Sequence, residues 1–161
     1  IFFNVNNYYI TIIDNENYKI KYYKKKTIQP NINNNLQAVE INQKVIYGDS
    51  KYEIFNNEYN IFSLLHRLTA DSSFDSEKSF IIDREGKKYI GELNNLNDHY
   101  ELIIEEINPD DNGIIKNTDI FSWALFLPKT NKIIKLNHKN KIIEYCGFQK
   151  GLLNFSANRI K

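Results

Sequence analysis

Apolar residues occupy alternate positions along most of this chain, and turn-forming residues interrupt them about every ten positions. Tyr18, Ile20 and Tyr22 oppose Lys19, Lys21 and Tyr23, while Leu153, Phe155 and Ala157 oppose Asn154, Ser156 and Asn158. Val39, Ile41, Val45 and Tyr47 share one parity. Successive side chains of a strand point to opposite faces, so this pattern marks half-buried strands. Strands are expected over 2–13, 18–28, 36–47, 51–55, 79–83, 88–93, 114–127, 132–137, 141–146 and 152–160, with 99–107 open to either strand or helix. Between them lie Asp14-Asn15-Glu16-Asn17, a polar loop over 29–35 that contains Pro30, Gly48-Asp49, Arg84-Glu85-Gly86-Lys87 and Asn108-Pro109-Asp110-Asp111-Asn112-Gly113.

One segment has a different period. Ile61, Leu64, Leu65 and Leu68 fall at i, i+3, i+4 and i+7, the apolar stripe of a short helix. Asn57 is the expected N-cap, and Asp71-Ser72-Ser73 ends the helix. Loops this short join antiparallel neighbours. The expectation is therefore a mainly β protein: a single curved antiparallel sheet or half-barrel of about ten strands with one short helix packed against it, forming one domain over 1–161.

Within that frame, 120–127 reads as a strand apolar on both faces. Phe121, Trp123, Leu125 and Leu127 lie on one side; Ile120, Ser122, Ala124 and Phe126 lie on the other. The small Ser122 and Ala124 leave room for the helix bearing Leu64 and Leu68.

Composition removes several functions. With 161 residues and a net charge of +1, one ordinary core fits, and nothing in the overall charge favours nucleic acid or a charged membrane surface. The 25 Ile, 24 Asn and 18 Lys reflect A/T-rich codons, hence a biased bacterial genome, since Asn fills turns and Ile fills strand faces. Cys146 is the single cysteine, which excludes an intrachain disulfide and a Cys-rich zinc site. No apolar run is long enough for a transmembrane helix. The chain starts at Ile1 and contains no Met, so a processed leader or a trimmed boundary is expected.

Candidate chemistry is sparse. Asn108 to Gly113, with Asp119 at position twelve, imitates a calcium loop but has Asn at position one and Asp in place of the bidentate Glu. It reads better as a polar turn, and no metal is assigned. His66, His99 and His138 have no ligand spacing, and Cys146 carries no nucleophile signature. Asp71, Asp75, Asp83 and Glu85 cluster near loops without forming a recognisable acid–base pair. Six glycines leave no phosphate cradle. The run Lys19-Ile20-Lys21-Tyr22-Tyr23-Lys24-Lys25-Lys26 interleaves bases and aromatics as single-strand nucleic-acid platforms do, yet reads better as an edge strand guarded by lysines. No catalytic residue and no cofactor are expected.

The second half resembles a family of exported bacterial domains of unknown function. The similarity rests on the helix 61–68, the hairpin Phe80-Ile81-Ile82-Asp83-Arg84-Glu85-Gly86-Lys87-Lys88-Tyr89, Asn112-Gly113-Ile114-Ile115-Lys116 and the segment Phe121-Ser122-Trp123-Ala124-Leu125-Phe126-Leu127. Pro128-Lys129-Thr130-Asn131 stands where that family has an Asp-rich turn. The resemblance covers about residues 50–160 and implies a curved sheet similar to lipoprotein-carrier half-barrels, with a periplasmic or cell-envelope location. The expected function is non-enzymatic: binding of a hydrophobic ligand or a protein partner on the curved sheet, with Phe121 and Trp123 as lining residues. The alternative is a cytoplasmic immunity protein that neutralises a toxin enzyme.

Overall fold

The computed structural model describes residues 6–55, 57–74, 79–115, 119–137, 139 and 141–159; the backbone alone is described for Ile120, Phe121 and Leu153. Its strands form two sheets. The first contains β1 (Asn6–Ile13), β2 (Ile20–Gln29), β3 (Ile32–Ile41), β4 (Lys44–Tyr47) and β5 (Ser50–Glu53) as an antiparallel meander in chain order. The second contains β6 (Glu58–Asn60), β7 (Ser79–Arg84), β8 (Lys87–Asn95), β9 (Tyr100–Glu106), β10 (Asn131–Asn137), β11 (Ile142–Lys150) and β12 (Leu153–Asn158), also in chain order. Helix α1 (Ile61–Ala70) links β6 to β7, and α2 (Ile120–Leu125) lies between β9 and β10. The protein is mainly β and largely antiparallel, as the alternation predicts. It has two open sheets where one curved sheet or half-barrel was expected.

Helix α1 explains the one parallel pairing. A parallel neighbour needs a crossover, and α1 carries the chain from β6 back to the start of β7. Its N-cap is Asn60, whose side chain accepts the Ser63 backbone N–H at 2.8 Å; the expected cap, Asn57, lies before β6. Arg67 and Asp71 close the last turn with a 3.1 Å ion pair. The stripe Ile61, Leu64 and Leu68 packs on the inner residues of the seven-stranded sheet, among them Phe80, Ile82, Tyr89, Leu93, Leu102 and Ile104. Gly91 pairs with both Phe80 and Ile104, and a Cβ there would meet the Phe80 ring at 2.4 Å. A glycine on β8 thus makes space for a fully buried aromatic ring.

The segment 120–127 is the main correction. Asp119 starts a helix, its Oδ1 accepting the Ser122 N–H at 2.8 Å, and α2 runs to Leu125. A short run apolar on both parities does not distinguish strand from helix. Ser122, Ala124 and Phe126 are buried, while Trp123 points outward and is 44% exposed.

The five-stranded sheet has its own core of Ile20, Tyr23, Ala38, Val45 and Tyr47. Phe62 of α1 packs against both cores and joins the sheets. The expected loop over 29–35 is a tight hairpin, with Pro30-Asn31 between paired Gln29 and Ile32. The expected strand 36–47 is broken by a second hairpin at Asn42-Gln43, both residues with positive φ (50° and 62°). Asn is tolerated in that region, as two-residue hairpins require.

Candidate functional site

Two places combine unusual chemistry: the junction between the sheets and the outer face of the five-stranded sheet. The junction holds charges that are normally solvated. Lys25 of β2 is 1% exposed, and its ammonium bonds Glu85 in the β7–β8 turn. It also lies 3.3 Å from Asp119, which is fully buried. Asp119 further accepts the Tyr9 hydroxyl at 2.7 Å and the Ser122 hydroxyl at 2.8 Å. Alongside, Tyr47 donates to Asp83 at 2.6 Å, and Lys88 bonds both Asp83 and Glu58. Strands β1, β2 and β4 are thereby fastened to β7, the β7–β8 turn and α2.

These contacts set the protonation states. Burial works against ionisation of Asp119. The Ser122 N–H, the Tyr9 and Ser122 hydroxyls and the Lys25 ammonium outweigh it, and the carboxyl lies below its ordinary value of 3.8. Burial raises Tyr23 and Tyr47, and neighbouring carboxylates reinforce it, so both phenols stay neutral. Burial also raises Glu58, more than Lys88 lowers it; one ammonium serves two carboxylates there. A depressed Asp119 stabilises the fold fully above the unfolded carboxyl value and loses that contribution as pH falls through its folded value. Acid unfolding of an Asp119→Asn variant, followed by circular dichroism, is therefore expected to show a weaker loss of stability below about pH 4 than the parent. An equal loss would remove Asp119 as a source of acid sensitivity.

The junction offers little room for a substrate. The cavity beside it is about 30 Å³, lined by Tyr23, Tyr47, Asp83, Arg84, Glu85 and Ser122 among others. That volume holds about two water-sized groups.

The outer face of the five-stranded sheet is different. Cross-strand pairing places Ile12 opposite Tyr22, Tyr22 opposite Val39 and Val39 opposite Ile46, an apolar row across four strands. Ile12 is 53% exposed, Val39 39% and Ile41, on the same face, 52%. Tyr8 and Ile28 extend the apolar surface. Lysines frame the row: Lys24 opposite Ile10, Lys26 opposite Tyr8, Lys51 opposite Ile46, and Lys44 beside Glu53 at 3.6 Å. Glu53 is the only carboxylate among the described residues on this face.

The residues singled out from the sequence are placed as follows. Trp123 lies on α2 with its side chain 44% exposed, and lines neither the junction cavity nor the apolar row. Phe121 is in the same helix, and its side chain lies outside the described residues. The lysine run is not an edge: β2 sits between β1 and β3. Its Tyr22, Lys24 and Lys26 face outward, and its Tyr23 and Lys25 face inward. Gly113 of the calcium-like turn, at φ 55°, packs on the β7–β8 turn, and a Cβ would meet the Glu85 carbonyl oxygen at 2.5 Å. Asp119 is a helix cap bound to Tyr9, so it is not a loop ligand. No group of three or more metal-ligating side chains forms among the described residues.

His66 packs near the Tyr18 ring, His99 bonds Asp98 at 2.7 Å, and His138 and Asp75 lie outside the described residues. Asp71 caps α1 and bonds Ser73. Cys146 is partly covered among apolar neighbours, and burial pushes its thiol up to about 11. At pH 8 its thiolate fraction falls about two-hundredfold below that of a free cysteine. The greater nucleophilicity of a more basic thiolate offsets part of this, so native protein is expected to react with a disulfide reagent at least about tenfold more slowly than denatured protein. Comparable rates would contradict the burial of this thiol.

Sequence reasoning missed the inward Lys25 and the outward apolar row. The signal for the row was the parity of Tyr22 with Lys24 and Lys26, legible only once the Asn42-Gln43 hairpin is known. Scans of family models, curated proteins and solved structures found no match to the chain.

Proposed function

We propose that the protein is a non-enzymatic binding module that docks a protein partner on the outer face of its five-stranded sheet. The partner surface has an apolar centre and an acidic rim. The carrying observation is the row Ile12, Tyr22, Val39 and Ile46 within a frame of lysines. An exposed apolar patch rimmed by one sign of charge is the surface of an interaction site. The lysines select an acidic partner and oppose a second copy of the same face, because like charges would be brought together. The buried carboxylates support the non-enzymatic reading, since Asp83, Glu85 and Asp119 are each bound to a lysine or tyrosine inside the protein.

Two measurements test the proposal. Sedimentation at low and physiological salt is expected to show a monomer; a dimer abolished by Val39→Glu would make the face a self-interface. A partner captured on the immobilised chain is expected to be lost with Val39→Glu and retained with Lys139→Glu, which alters an exposed lysine outside the sheets. Equal retention by both variants would overturn the docking face.

A further inference from the structure

The outer face of the seven-stranded sheet is a second surface, and it does not depend on the docking face. The inner residues of this sheet pack with α1, whereas Ile81, Ile90, Ile103 and Ile133 lie on the opposite side. Ile81 pairs with Ile90, and the exposed Ile107 and Phe55 extend the apolar surface.

Cross-strand pairing sets a glutamate beside an isoleucine three times. Glu105 is opposite Ile90, Glu92 is opposite Ile103 and Glu101 is opposite Ile133. An exposed antiparallel pair gains by facing a carboxylate with a cation, as Glu53 and Lys44 do on the other sheet. Glu92, Glu101 and Glu105 make no ion pair among the described residues. The lysines on this face are engaged elsewhere. Lys88 lies 3.0 Å from Asp83 and also bonds Glu58, so two carboxylates offset its one charge. Lys135 of β10 sits over the Tyr145 ring at 5.9 Å. The face is thus apolar and acidic, the reverse in sign of the lysine-framed row.

It also has a concave end. Where the β5–β6 link and the turn after β9 flank the sheet, a groove of about 380 Å³ opens between Phe55, Ile81, Lys88, Ile107, Asn108 and Asp111. Its walls are mainly apolar, and its size is in the range of sites that enclose a bound group.

We infer that this face docks a basic, amphipathic segment of a protein partner, with its apolar side chains on Ile81, Ile90 and Ile103 and its lysines or arginines on Glu92, Glu101 and Glu105. The sign of the charge selects against nucleic acid, anionic membranes and the acidic partner of the other sheet. The spacing follows from β9. Glu101, Ile103 and Glu105 alternate at every second residue, so an extended occupant that alternates basic and apolar residues matches them.

The test is an isoleucine-methyl NMR titration of the full chain with three short synthetic peptides, which alternate lysine and valine, lysine and serine, or glutamate and valine. The lysine–valine peptide is expected to give saturable shifts at Ile81, Ile90, Ile103 and Ile107. The lysine–serine peptide is expected to bind at least about tenfold more weakly, because it buries no apolar surface. The glutamate–valine peptide is expected to leave those four methyls unmoved. Glu92→Gln combined with Glu105→Gln is expected to weaken the lysine–valine peptide at least about tenfold at low salt. Val39→Glu, on the other sheet, is expected to bind it as the parent chain does. Absence of saturable shifts, equal binding of the lysine–valine and lysine–serine peptides, equal binding by the parent and the double variant, or the same shifts from the glutamate–valine peptide would overturn the site. A sedimentation dimer that the double variant abolishes would give the face to a second copy of the chain and overturn the separate partner.

Discussion

Replacing Lys25 with Ala is expected to cost about 3–5 kcal/mol of folding stability, the loss typical of removing one member of a buried ion pair. The size follows from what remains. Glu85 and Asp119 would stay buried at the junction of the two sheets with their shared cation gone. Asp119 would keep the Tyr9 and Ser122 hydroxyls, whereas Glu85 would lose a direct ion pair. For a domain of this length the loss is a large part of the total. Lys25→Met removes the same charge but fills the space, so it is expected to destabilise nearly as much. Adding Glu85→Gln and Asp119→Asn to Lys25→Met removes the stranded charges and is expected to recover much of the loss. Urea unfolding followed by tryptophan fluorescence measures all three. A change below about 1 kcal/mol for Lys25→Ala would mean that water reaches the junction and solvates the carboxylates.

The second large effect is on binding. Val39→Glu is expected to weaken the purified partner at least about a hundredfold. It places a carboxylate in the centre of the apolar row and brings it against an acidic rim. The fold has little stake in Val39, which is 39% exposed on the open face. Its unfolding free energy is expected to change by less than about 1 kcal/mol. Paired charge reversals at Lys24 and Lys26 are expected to act differently, slowing association and flattening its dependence on salt. Isothermal titration at two salt concentrations separates the contributions. Full affinity in Val39→Glu would move the interface elsewhere.

Much of the strand pattern was legible because it depends on local parity. The hairpin of β7–β8 falls where alternation and turn residues place it, whereas β11 runs four residues past its expected end at Cys146. Pairing across distance was not legible. Nothing local to residues 50–60 says that the chain leaves one sheet and begins another there. The hairpin at Asn42-Gln43 shows the mechanism of a specific error. Val39, Ile41, Val45 and Tyr47 share parity in sequence, yet the two-residue turn pairs Ile41 with Lys44 and Val39 with Ile46. Val39 and Ile41 are therefore outside, and Val45 and Tyr47 are inside.

Lys25 illustrates the opposite limit. A lysine within a lysine-rich run reads as solvated, and only the approach of Glu85 and Asp119, about 60 and 90 residues away, buries it. Helix α2 was hidden because Ile, Phe, Trp and Leu suit either period in a six-residue element. The Asp119 cap, three residues before Ser122, was the available cue. Placed inside an expected strand over 114–127, it was not read as a cap, and both the helix and Trp123 were misplaced.

The central claim is that the outer face of the five-stranded sheet meets a partner. Photocrosslinking in cells tests it most directly, with a benzophenone side chain in place of Val39 or, as an exposed apolar control on the seven-stranded sheet, Ile90. The account predicts one discrete adduct from position 39, none of that size from position 90, and an acidic partner whose purified form is displaced by salt. No adduct at position 39, or the same adduct from both positions, would contradict it.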